Sequence, residues 1–277
     1  MEDYIWIIIG TLVFLVVLYL LMCMPKRNTR LDRPFFPKRQ IAHRGLFDKE
    51  KQIPENSLKA FSNAVKNGYG IEFDVQETKD GKLVVFHDWT LKRMCGDDRK
   101  ISDLTLGEIK QYTLGDTECR IPTLEEALQL VDGQVPLLVE LKSRDHRFAG
   151  FCQSVWNILK DYQGAYVIES FHPLVLCWFR RHAPKIKRGQ LADNFLQEES
   201  TGNIILDALL TNMLANFLAK PDFIAYNIKH KNSLSLLICS YVYNSTTYAW
   251  TVRNKKQQEN SRKRFDCIIF DSFLPET

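Results

Sequence analysis

The sequence predicts an α/β protein: a TIM (β/α)8 barrel preceded by one transmembrane helix. Three observations predict it. Eight short β runs alternate with amphipathic helical patterns from Gln40 onward. Residues 4–24, YIWIIIGTLVFLVVLYLLMCM, carry no charge. The chain has 277 residues, 45% hydrophobic and 25% charged, which is globular composition at a length that a single barrel fills.

The apolar run comes first. At a rise of about 1.5 Å per residue it covers roughly 30 Å, the thickness of the hydrocarbon layer. It is too long for a signal-peptide core, and it lacks a basic start and a small-residue cleavage site. Residues 4–24 therefore read as a transmembrane helix behind a short tail, 1–3. Glu2 and Asp3 precede it; Lys26, Arg27, Arg30, Arg33, Lys38 and Arg39 follow it. The positive-inside rule makes this a single-pass membrane protein with its barrel on the cytoplasmic side. The seven cysteines are odd in number and irregular in spacing, which suits reduced core thiols. Residues 25–39 are rich in proline and basic residues and read as a linker at the membrane surface.

The barrel is expected over residues 40–277. Its parallel strands are expected at Gln40–Arg44, Ile71–Val75, Pro136–Lys142, Tyr166–Ser170, Lys187–Leu191, Phe223–Asn227, Tyr248–Val252 and Cys267–Asp271. Asn56 or Ser57 can cap a helix carrying Leu58, Phe61 and Val65, closed by Gly68. Thr105 with Glu108, and Thr123 with Glu126, each fit a capping box. Leu83–His87 would be a ninth strand, but too few residues separate it from Val75 for a parallel crossover. It reads as the return arm of a hairpin through Asp80-Gly81, with Asp74 opposite roughly His87. Asn203–Lys220 is unusually apolar; it reads as a barrel-covering helix, with contact to the membrane as the sharper alternative.

Strand alternation places the chemistry. Glu72 and Asp74 share one face, and in a closed barrel that face is the interior. Glu140 and Lys142 follow the same rule in LLVELK. The acids could pair with basic residues, but three inward acids against one or two bases favour a hard divalent cation held by oxygen. His43 and His87 end their strands at the C-terminal rim, where barrel active sites gather, and their ordinary pKa suits acid–base work. Arg44 offers a fork for a phosphate, or an ion pair with Asp48 or Glu50. A net charge of +4 is too small to imply nucleic acid, and no Gly-rich phosphate loop, paired CxxC or long repeat is present.

These residues resemble the glycerophosphodiester phosphodiesterases. The pieces are HRG (43–45), PENS (54–57), IEFDVQETKDGKLVVFHD (71–88), Leu91 with Arg93, IPTLEEAL (121–128), LLVELK (137–142), ESF (169–171) and AWTV (249–252). The resemblance implies a TIM barrel of the phospholipase-C-like phosphodiesterase type that uses Ca²⁺ or Mg²⁺. It implies Glu72, Asp74 and Glu140 as metal ligands, His43 and His87 as the catalytic pair, and Arg44 and Lys142 as phosphate contacts. Glu55 and Trp250 take possible supporting roles, Trp250 by packing against substrate. The family commonly ends its barrel with a TD pair; here Phe270-Asp271 stands instead. The implied reaction is hydrolysis of a glycerophosphodiester to glycerol 3-phosphate and an alcohol, with His43 taken as base and His87 as acid. A lysophospholipase D acting on membrane lysolipids is the alternative, and an inactive membrane-tethered binding module is a further rival. Nothing in the sequence calls for an obligate protein partner.

Overall fold

Eight runs of alternating or continuous apolar residues become the staves of a closed parallel barrel. The computed structural model describes residues 2–26, 35–36, 40–143, 148–198 and 200–276. The strands are β1 (Gln40–Ala42), β2 (Gly70–Glu77), β3 (Leu83–Val85), β4 (Leu137–Leu141), β5 (Tyr166–Ser170), β6 (Arg188–Ala192), β7 (Phe223–Asn227), β8 (Thr246–Val252) and β9 (Cys267–Phe270). Their order is β1-β9-β8-β7-β6-β5-β4-β2, and β1 pairs with β2 to close the ring.

The helices are α1 (Glu2–Cys23), α2 (Leu58–Lys66), α3 (Lys92–Cys95), α4 (Leu106–Ile109), α5 (Leu124–Val131), α6 (Phe148–Leu159), α7 (Pro173–His182), α8 (Ile204–Thr211), α9 (Asn216–Ala219), α10 (Leu234–Leu237) and α11 (Lys255–Arg262). A π-helical turn, Ile238–Val242, continues α10. Both expected capping boxes form, at Thr105 with Glu108 and at Thr123 with Glu126. Ser57 caps α2 by accepting from the Ala60 amide at 3.1 Å. Asn56 is thereby left to do something else.

Alternation sorts the side chains into two cores. Ile71, Phe73, Val75, Leu137, Val139 and Leu141 face the helices. Ile41, Leu138, Val167, Leu191, Phe223, Tyr248 and Ile269 fill the barrel interior. Phe36 closes the floor, in contact with that inner set and 5.9 Å from the Tyr248 ring. Residue 70 must be glycine for this: a Cβ there would lie 2.5 Å from the Phe36 ring.

Strand β3 stands outside the ring, antiparallel to β2. It is a hairpin arm, as expected, but the register is one residue off the expected one. Val75 pairs with Val85, and the Phe86 amide donates to the Asp74 carbonyl at 3.0 Å. Phe86, not His87, therefore lies across from Asp74. The excursion that follows has its own small core, including Val84, Phe86, Leu91, Ile101, Ile109 and Ile121.

Helix α1 is exposed over most of its length, but its foot is fixed to the barrel. Tyr19 Oη donates to Asn212 Oδ1 at 2.8 Å, and Tyr243 Oη donates to the Leu20 carbonyl at 2.7 Å. Asn216 Nδ2 reaches the Cys23 carbonyl at 3.1 Å, and Cys23 is fully buried. Lys26 Nζ lies 2.7 Å from Asp222 Oδ1. The expected linker thus begins already docked; its residues 27–34 and 37–39 lie outside the described residues.

Candidate active site

Neighbouring strands bring the acids to one level. The register sets Asp74 beside Glu140, and Glu140 beside Glu169. Glu72 lies one inward position below Asp74. All four are buried, and carboxylate oxygens of Glu72, Asp74 and Glu140 lie within 4.8 Å of one another. The spacing that puts them there is the period of two read from the sequence.

Basic groups answer only part of this charge. Lys142 Nζ sits 3.2 Å from Asp74 Oδ1 and 3.0 Å from Glu140 Oε1. The Arg44 amide donates to Glu72 Oε2 at 2.8 Å, and its guanidinium Nε lies 3.8 Å from Asp74 Oδ2. Asn56, freed from capping, donates to Asp74 Oδ2 at 2.8 Å. Lys142, His87 and Arg44 hold Asp74 well below the usual carboxylate range, against its burial. Burial pushes Glu72 well up, with Asp74, Glu140 and Glu169 adding to the rise. Glu140 is raised by burial, against Lys142, and Glu169 rises well above the ordinary value for the same reason with Glu140 beside it. The Glu169 Oε2 atom is buried and has no hydrogen-bond partner.

An all-oxygen cluster with more negative charge than its bases balance, and with an orphaned oxygen at its edge, fits a hard divalent cation. Glu72, Asp74 and Glu140 would hold it.

Each histidine has its own carboxylate. His43 Nδ1 lies 2.9 Å from Asp271 Oδ2, and His87 Nδ1 lies 2.6 Å from Asp88 Oδ1. Burial, then the Arg44 charge, lowers His43 to about 4, although Asp271 pulls the other way. His43 is therefore a neutral imidazole at physiological pH. Asp271 is held at about 2, chiefly by its hydrogen bond to His43, against burial. Arg253 Nε braces the other Asp271 oxygen at 3.1 Å.

Glu55 lies between two arginines. Its Oε1 is 2.6 Å from Arg44 Nη1 and 2.6 Å from Arg93 Nη2. Arg93 Nε in turn lies 2.6 Å from Asp88 Oδ2. One ion-pair chain thus runs from Arg44 to the carboxylate that holds His87. This replaces the surface pair of Arg44 with Asp48 or Glu50. Trp250 stands edge-on to Phe171 at 5.6 Å between ring centroids, and its Nε1 is buried without a partner.

All nine residues expected from sequence lie on the C-terminal rim or just inside it. Sequence reasoning missed Asn56, Asp88, Glu169 and Asp271. The signal for two of them was available. Inward alternation through Val167 reaches Glu169, and through Ile269 it reaches Asp271.

The chain is similar to known proteins over most of the barrel. The model of the glycerophosphoryl diester phosphodiesterase family matches residues 43–274. A glycerophosphodiester phosphodiesterase from Caldanaerobacter subterraneus is 37% identical over 161 residues, which cover 54% of this chain and 65% of that enzyme. The match thus spans slightly less than two thirds of that relative. A solved glycerophosphodiester phosphodiesterase from Parabacteroides distasonis aligns with a TM-score of 0.67 at 27% identity, over 83% of this chain and 91% of that one. An Oleispira antarctica phosphodiesterase, solved with the product sn-glycerol-3-phosphate, shares the fold with a TM-score of 0.68 at 23% identity, over 86% of this chain and 94% of that one. The chain belongs to the glycerophosphoryl diester phosphodiesterase family of phosphodiester hydrolases.

Proposed function

We propose that the barrel hydrolyses glycerophosphodiesters to glycerol 3-phosphate and an alcohol, using a divalent cation and two histidines. One observation carries the reading. Two carboxylate-held histidines, one just after β1 and one after the β3 arm, flank three clustered acids and two bases on a single rim. The product named for the Oleispira structure supports the product assigned here.

The protons follow from the hydrogen bonds. His43 gives its Nδ1–H to Asp271, which leaves the Nε2 lone pair free to accept. It takes the proton of the attacking glycerol hydroxyl, and the oxygen closes on phosphorus. His87, held at Nδ1 by Asp88, gives a proton to the departing alcohol oxygen. Water then opens the cyclic phosphate with the two roles exchanged. Arg44 and Lys142 face the charge that grows on the phosphoryl oxygens. When bound, Ca²⁺ or Mg²⁺ at Glu72, Asp74 and Glu140 supplies further positive charge to those oxygens.

The test is release of glycerol 3-phosphate from glycerophosphocholine by wild type, His43→Ala and Glu72→Ala, with and without chelator. Both variants lose turnover by about 10² or more, and chelator stops the wild type. Undiminished variants would sink the mechanism. The complete set of acids, bases and histidines leaves an inactive binding module without support.

The membrane reading rests on α1, the one described helix long and apolar enough to cross a bilayer. A removable leader would have no reason to bury its last residue against the barrel, as Cys23 is buried. The basic residues that follow favour a cytoplasmic barrel. Protease added to intact cells should spare it; digestion of the barrel would reverse the orientation. Lysolipids are the second substrate class, favoured because α1 keeps the rim near lipid.

A further inference from the structure

Several exposed apolar side chains lie around the foot of α1, and the mechanism uses none of them. On one side are Ile204, Ile205 and Leu209 of α8, and on the other are Tyr241 and Val242 of the π-helical turn. Ile204 is 75% exposed, Ile205 70% and Tyr241 69%. We propose that these residues form an apolar collar that seats the barrel in the acyl boundary of one leaflet. The proposal rests on the reading of α1 as a membrane span.

Three observations carry it. The first is depth. A span needs about 20 residues, and the apolar run of α1 ends only where the barrel already holds it. Tyr19 is bonded to Asn212 at the end of α8, and Leu20 to Tyr243 beside the π-helical turn. The elements that grip residues 19–23 therefore stand at the depth where the span leaves the hydrocarbon.

The second is continuity. Tyr19 of α1 and Ile204, Ile205, Ala208 and Leu209 of α8 line one apolar cleft of about 440 Å³. The cleft joins Tyr19 of α1 to the exposed apolar face of α8, and Asn212, the polar amide in its lining, is bonded to Tyr19.

The third is charge. Asp207 is the one charged residue in α8, and it is turned inward. It is buried and bound by Ser200 at 2.5 Å and Thr201 at 2.7 Å. The exposed face of α8 has no charge to lose on entering lipid.

Seating α8 in the leaflet also turns one side of the rim toward lipid. The loop after β6 leads into α8 and carries Phe195 and half-exposed Leu196. Phe195 packs edge-on to Phe171, which packs on Trp250 in the site. An aromatic wall thus leads from the reacting groups toward the collar.

The experiment uses the full chain in liposomes of phosphatidylcholine and phosphatidylglycerol. Ile205 or Tyr241 is replaced by p-benzoylphenylalanine and irradiated, and the peptides are weighed for lipid adducts. Lys59 on α2 is the control, since α2 flanks β2, four places around the ring from β7. Alkaline carbonate first establishes whether α1 spans. Retention in the pellet, with lipid adducts at 205 and 241 and none at 59, is the expected result. Retention with no lipid adduct at 205, or with a crosslink there to a second copy, overturns the collar and leaves the span standing. Extraction by carbonate overturns both.

Discussion

Asp271 decides which nitrogen of His43 is available. An asparagine there keeps the shape but no longer fixes the imidazole with its proton on Nδ1. Asp271→Asn should cut kcat by about 10²–10⁴ with KM nearly unchanged, measured on glycerophosphocholine at saturating cation. His43 also links stability to pH. Its folded pKa of about 4 lies below the ordinary 6.5, so the unfolded chain binds a proton that the folded one refuses. Its contribution is complete above pH 6.5 and is lost as pH falls toward 4. That is on the order of 3 kcal/mol. Thermal unfolding in detergent should show His43→Gln losing less stability than wild type between pH 7 and 4. Equal slopes would mean that the imidazole does not stay neutral in the fold. At this scale the inward acids Glu72, Asp74 and Glu140 were legible, because alternation within one strand reveals them. The pairings of Asp88 and Asp271 were not: Asp88 follows His87 directly and inward alternation reaches Asp271, but only the fold turns Asp88 onto the imidazole and sets Asp271 beside His43, 228 residues away.

Elements were legible where they repeat. All eight staves lie within a few residues of their expected bounds, since each carries enough apolar residues to mark itself. The β3 arm slipped by one position because the turn through Asp80-Gly81 sets register, and turn type is not written in composition. The floor of the barrel was not foreseen at all. Phe36 sits in what reads as linker, yet its ring fills the space that Gly70 leaves open. Phe36→Ala should cost about 3–5 kcal/mol by opening a cavity among Ile41, Tyr248 and Ile269. Urea titration would measure it as a lower midpoint at an unchanged slope. A cost below about 1 kcal/mol would show that the floor is not packed by this ring.

Across the whole molecule, the buried acid cluster holds negative charge that a bound cation would neutralise. A ligand bound only by the folded state stabilises it by about 2.7 kcal/mol at 100 times its Kd. For a barrel of this size that raises Tm by roughly 5–10 °C. Scans with millimolar Ca²⁺ or Mg²⁺ should show the rise, chelator should reverse it, and Glu72→Gln should blunt it; an unmoved Tm would count against cation binding. The docking of α1 was hidden from sequence because its bonds join residues about 190 positions apart. It changes how a soluble version of this enzyme must be cut. Starting the chain at Gln40, where the barrel strands begin, removes Phe36 from the floor and strips the cover from Asn216 and Cys239. Starting at Pro25 keeps the floor but leaves the seam that held Cys23 facing water, beside an apolar α8. Polar replacements at Ile204, Ile205 and Cys239 would have to accompany either truncation, or the shortened protein would associate through the surface that α1 covers.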